Sequence, residues 1–130
     1  MMKAEEFDSQ FFQTDAIDHC VVVRFHAGPL NEESNIEELG RSLFQLIDQH
    51  GYHRIAIDLS QTSFITSSVL GKLISLHRRL HRTSGQLVLF GLQDPVESVM
   101  QYSNLYEYFQ VTDCLETAIA RLDSTELTHP

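Results

Sequence analysis

The stretch Thr62–Gly71, "TSFITSSVLG", carries five hydroxyl side chains in ten positions, more than one helix start requires. A hydroxyl there can do three things. It can cap a helix by accepting from a free backbone N–H, attack as a nucleophile, or accept a phosphoryl group. Capping and turn formation account for about three of the five: Thr66 or Ser67 as the helix cap, and Thr62 and Ser63 in the turn before it. Ser67 and Ser68 then fall in or beside the first helical turn. A phosphoryl group there meets unsatisfied amides and the positive end of the helix dipole.

Nucleophilic catalysis finds little support. No G-x-S-x-G elbow surrounds Ser67 or Ser68. The chain has no G-x-x-x-x-G-K-[ST] loop and no G-x-G-x-x-G fingerprint, so those devices for nucleotide binding are absent. His77 and His81 have the spacing of two metal ligands on one helix face. No Glu completes an H-E-x-x-H motif, and "HRRLH" adds cations that oppose a metal ion. They read as two partly exposed histidines beside an apolar stripe. Glu32, Glu33, Glu37 and Glu38 suit the N-terminal part of a helix. Cys20 and Cys114 are distant, form no CxxC pair and read as reduced thiols, with Cys114 near a helix start. No cofactor and no metal is expected.

The elements that position these residues follow from periodicity. "FFQTDAID" and "HCVVVRF" read as two strands with a short polar connection. "HAGPL" breaks the pattern. Ile36, Leu39, Leu43, Leu46 and Ile47 line one face of a helix with Ser34 and Glu37 as a capping box and Gly51 as its stop. "RIAIDLS" is a buried strand. The next helix has Val69, Leu73, Leu76 and Leu80 as its stripe, with Lys72, Arg78, Arg79 and Arg82 elsewhere, and ends at Gly85. "QLVLFGL" is a strand covered on both faces. Asp94, Pro95 and Glu97 open a helix as cap, first position and box partner. "YFQV" suggests a short last strand, and Asp113 with Glu116 caps a final helix.

The order is β-β-α-β-α-β-α-β-α. It predicts an α/β class layered domain, with a mixed, mostly parallel sheet and an antiparallel first strand pair. The 130 residues suffice for one domain, with a core over about 8–122 and frayed tails at 1–6 and 123–130. Nine Lys and Arg against eighteen Asp and Glu give a net charge of −9, which argues against nucleic-acid binding. No apolar run is long enough to span a membrane and no signal peptide is visible, so a cytoplasmic location is expected.

From "IAIDLSQTSF" to the final helix, the chain resembles the STAS domain of bacterial anti-sigma-factor antagonists. The residues that carry the resemblance are Asp58-Leu59-Ser60 at a strand end, Phe64-Ile65 before the serine turn and Leu70-Gly71 after it. Gly85, Gly91-Leu92, and Phe109 ahead of an Asp-x-Leu-Glu helix complete it. It extends over roughly Asp8 to Leu122. The resemblance implies a protein-binding switch rather than an enzyme. Its partner is an anti-sigma factor that is also a serine kinase, and a phosphatase resets it.

By position in the family's D-[ST]-[ST]-G-L turn, the phosphoacceptor is Ser67, ahead of Ser68. The implied contact surface comprises Leu30, Asn31, Ser63, Thr66, Ser67, Ser68, Val69 and Lys72, and a weak homodimer is a further expectation. Three positions depart from the family pattern. Thr66 replaces the acidic residue before the acceptor, Val69 replaces the glycine after the two hydroxyls, and Asn31 replaces a second acid. The rival reading is a non-phosphorylated scaffold or transporter-accessory module. A small-ligand sensor ranks below both, because no Gly-rich cradle or apolar cavity is evident in the sequence.

Overall fold

The β-branched run Val21–Val23 cannot be exposed without a large hydrophobic cost, and all three of its residues are fully buried. The computed structural model describes residues 11–17, 19–26 and 33–128, with side chains described from Asn35 to Leu122 in the first and last helices. Five strands form one sheet in sequential order: β1 (Phe12–Ile17), β2 (Cys20–Phe25), β3 (Arg54–Asp58), β4 (Gln86–Phe90) and β5 (Gln110–Thr112). β1 and β2 are antiparallel and the remaining neighbours are parallel, as the element order predicts.

The helices are α1 (Glu33–Asp48), α2 (Ser67–Arg82), α3 (Asp94–Tyr102) and α4 (Leu115–Thr128). Period-two alternation divides their roles. Val21, Val23, Ile55, Ile57, Leu87 and Leu89 point to the face covered by the apolar stripes of α1, α2 and α3. Cys20, Val22, Ala56, Val88 and Phe90 point to the other face and pack on Ala118 and Leu122 of α4. α2 buries Val69, Leu70, Leu73, Leu76 and Leu80 against the larger core.

Several boundaries differ from the expectation. Asp94 is the first residue of α3, not its cap, and Gln93 holds the cap position without a side-chain cap bond. The Gln93 amide instead donates to the Ser60 carbonyl at 2.6 Å, so a tertiary contact decides the boundary. α4 likewise starts one residue later than Asp113 suggests. Thr117 Oγ1 donates back to the Cys114 carbonyl at 2.9 Å, making Cys114 the residue at the helix start. Ser34 lies within α1 rather than ahead of it. The helical backbone of α4 also continues through residues 123–128, read above as a frayed tail.

Gly51 ends α1 with φ +72°, as the sequence suggests. After α2 the left-handed residue is Ser84, at φ 62°, and not Gly85. Gly85 serves packing: a Cβ there would lie 2.4 Å from the His53 carbonyl oxygen.

Candidate functional site

The hydroxyl-rich segment runs from the C-terminal end of β3 to the start of α2, outside a parallel sheet, where loops gather in this class of fold. Its first residues are held firmly. Asp58 pairs with Arg24 across the β2–β3 register at 3.6 Å, and Arg24 also binds Asp15 at 2.5 Å. The other Asp58 oxygen accepts from the Ser60 N–H at 2.9 Å, an Asx-type turn. Gly91 stands opposite with φ +74°, and a Cβ there would come within 3.2 Å of Asp58 Oδ1 and 3.3 Å of Ser60 Cβ. Together with the Gln93–Ser60 bond, these contacts fix where the segment leaves the sheet.

Thr62 turns inward and is 8% exposed, and its hydroxyl has no hydrogen-bond partner among the described residues. Ile65 is also buried in the core, at 4% exposure, while Phe64 between them projects outward at 69%. Thr66 is the N-cap of α2, with extended φ/ψ and its Oγ1 accepting from the Val69 N–H at 3.2 Å. Of the two expected caps, Thr66 takes the role, which leaves Ser67 and Ser68 as the first two helical residues. Both side chains are exposed. Because Thr66 takes only the third amide, the Ser67 and Ser68 N–H groups have no intrahelical acceptor, and the first turn of α2 contains no acidic residue. The site is therefore a hydroxyl on an anion-favouring helix end, bordered by an exposed aromatic ring.

Of the expected contact residues, Ser63, Ser67 and Ser68 are exposed and Thr66 is half-buried around this turn. Val69 is a correction. Its side chain is buried at 2% exposure because position 69 begins the apolar stripe, so it offers a partner no side-chain contact. Lys72 lies one turn beyond Ser68 and is committed to α1, its ammonium donating to Glu37 at 3.2 Å. Leu30 and Asn31 lie outside the described residues. Phe64, within the same turn, faces outward. Its outward position follows from Ile65 filling the core beside it, a fact of packing that alternation only hints at.

Elsewhere, His77 and His81 stack with ring centroids 6.1 Å apart. Burial first, and the neighbouring His81 second, lower the His77 pKa from its usual 6.5. Among the described residues no group of three His, Cys, Asp or Glu side chains is placed to hold a metal ion. Cys20 is buried and Cys114 is exposed. No helix among the described residues is long and apolar enough to cross a membrane.

Comparison with known proteins agrees with this fold. A family model described as the STAS domain matches residues 11–118. BtrV of Bordetella bronchiseptica, which carries the designation anti-sigma factor antagonist, is 30% identical over 87 residues, covering 67% of this chain and 74% of its own. The structure of TM1081 from Thermotoga maritima superposes with a TM-score of 0.76 at 20% identity, covering 88% of this chain and 96% of that one. SpoIIAA of Bacillus in its phosphorylated form superposes with a TM-score of 0.64 at 25% identity, covering 85% of this chain and 97% of that one.

Proposed function

The chain belongs to the STAS domain family, and from that premise we propose that it is a partner-binding switch of the anti-sigma-factor-antagonist kind, controlled by phosphorylation of Ser67. The fold is that of anti-sigma-factor antagonists. The observation that carries the proposal is the position of Ser67, an exposed hydroxyl at the first residue of α2, with no acid in that turn. In this reading the unmodified turn docks on an anti-sigma factor that is also a serine kinase. Phe64 anchors the contact and the hydroxyls of Ser63, Ser67 and Ser68 frame it.

Phosphorylation adds a charge of about −2 to a site that accepts it locally, through free amides and the helix dipole. The fold therefore stays intact while a neutral contact surface becomes negative. A phosphatase reverses the step, and the exchange takes place in the cytoplasm. In this reading the chain acts by binding rather than by catalysis. One relative, SpoIIAA, determined in unphosphorylated and phosphorylated forms, supports the reading.

One observation favours a second reading, a binding module that is never modified. The residue before the acceptor is the neutral cap Thr66, whose hydroxyl is already engaged with Val69. The test is incubation of the full chain with a kinase-type anti-sigma factor from the same genome and Mg-ATP, followed by mass-spectrometric mapping. Modification at Ser67 with loss of the complex is the expected result. A stable complex with Ser67 unmodified would leave the binding module and remove the switch. No complex with any such factor would remove the switch and leave the scaffold or transporter-accessory reading.

A further inference from the structure

The far end of α2 carries a feature that partner switching at Ser67 does not use. A groove of about 540 Å³ is lined by His77, Arg78, His81 and Arg82 of α2 and by Tyr108 from the segment before β5. Its size falls within the range of small-molecule sites. We propose that this groove is a binding site for a small phosphate monoester, with the phosphate held by Arg78, Arg82 and His81 and the organic part lying against Tyr108 and His77.

The disposition of charge is the first argument. In a chain of net charge −9, the groove gathers two arginines and two histidines. Other cations are committed: Arg79, between the two groove arginines in sequence, binds Asp48 at 2.6 Å and lies 4.8 Å over the Phe44 ring. Lys72 binds Glu37 and Arg24 binds Asp15 and Asp58. Arg78 and Arg82 have no carboxylate partner among the described residues. They stand four apart on one helix face, where like charges repel. Helix-dipole compensation explains basic residues in the last turn of α2 but requires no groove between them and an aromatic wall.

The wall is the second argument. Tyr108 is 40% exposed, its ring 4.9 Å from His77 and tilted at 56°, and it packs edge-on to Phe109 at 5.1 Å. Phe109 itself is buried and meets His77 edge-on at 5.7 Å. The tyrosine is thus fixed by its neighbours while presenting one side to the groove. Guanidinium groups match a phosphate in bidentate geometry, and an organic group on the ester gains contact area from the rings.

The test uses the full chain and phenyl phosphate as probe, with inorganic phosphate and sodium chloride at matched ionic strength as comparisons, followed by NMR of backbone amides and histidine rings. Saturable shifts centred on His77, His81 and Tyr108 are expected for phenyl phosphate, with weaker binding of inorganic phosphate. The doubly substituted variant Arg78→Gln/Arg82→Gln should bind at least tenfold more weakly. Arg41→Gln, which removes an exposed charge on α1, should bind as the parent does. Tyr108→Ala should lose the preference for phenyl over inorganic phosphate. The four side chains replaced are exposed, so the fold is expected to persist and is checked by the unchanged amide spectrum of the sheet. Shifts no larger than those of sodium chloride, or equal weakening by Arg41→Gln, would overturn the proposal. Sedimentation with phosphatidylglycerol vesicles without a response to phenyl phosphate would overturn it too, in favour of a lipid surface.

Discussion

Ser67 and Thr66 are neighbours with opposite duties, and substitutions should separate them. Thr66 supports the helix: Thr66→Ala removes the bond to the Val69 amide and should cost about 1 kcal/mol in chemical denaturation, whereas Thr66→Asp should retain the cap. Ser67 is exposed and accepts nothing needed for folding, so Ser67→Asp should leave stability nearly unchanged. It should weaken the complex with the proposed anti-sigma-factor partner at least about tenfold, or 1.4 kcal/mol, by calorimetry. Ser67→Ala should bind like the unmodified chain and resist ATP-dependent release. Phe64→Ala should weaken binding by more than about 1 kcal/mol without lowering the melting temperature, as expected of an exposed aromatic anchor.

His77 provides the pH prediction. Burial, and then the charge of His81, disfavours its protonated form in the fold. The unfolded chain therefore binds the proton more readily, at a pKa near 6.5. The His77 contribution to stability is full above that value and is lost as pH falls from 6.5 toward its lowered value in the fold. Melting temperatures at about pH 7.5 and about pH 5.5 should differ less in His77→Gln than in the parent.

At the scale of elements, α2 is the central component. Leu73, Leu76 and Leu80 are fully buried, and Leu76→Ala should cost about 2–5 kcal/mol by denaturant titration. Gly85→Ala should also destabilise, by roughly 1–3 kcal/mol, since the new methyl group meets backbone rather than a side chain that can turn away.

Much of the fold was legible because its signals are local. The i, i+3, i+4 stripe of α2 and the Val21–Val23 run are properties of neighbouring residues, and both were placed correctly. Cap positions at α3 and α4 were displaced by one residue. Adjacent polar residues compete there, and the outcome rests on bonds such as Gln93 to Ser60, which span 33 positions. The candidate acceptor was legible through the pattern around it. The groove was not, because Tyr108 reaches His77 only after the chain has passed through β4 and α3. Val69 was misread as a contact for a related reason: pattern identified its place in the turn, and packing assigned its side chain to the core.

On the scale of the whole molecule, coverage of the two faces is unequal. Among the described residues, three helices bury one side of the sheet and α4 buries the other. Among the described residues the smaller core has seven buried members, with Ala118 and Leu122 from the helix, and the partly buried Leu115 and Ile119 pack against it. α4 packs on this face as a single helical layer, so its amides should exchange with solvent before those of β2 and β3. Hydrogen–deuterium exchange read by mass spectrometry gives the order directly. Simultaneous opening of α4 and the central strands would show that the two layers form one cooperative unit.

α2 is a single rod of 16 residues, with Ser67 at one end and Arg82 at the other. At 1.5 Å per residue, the rise from Ser67 to the groove residues is about 15–22 Å, roughly two or more screening lengths in physiological salt. A phosphate added at Ser67 is consequently almost invisible to Arg78 and Arg82 through solvent under those conditions. In dilute buffer the screening length grows past that distance, and the two ends sense each other. Ionic strength thereby determines whether the helix transmits one electrostatic message or two separate ones.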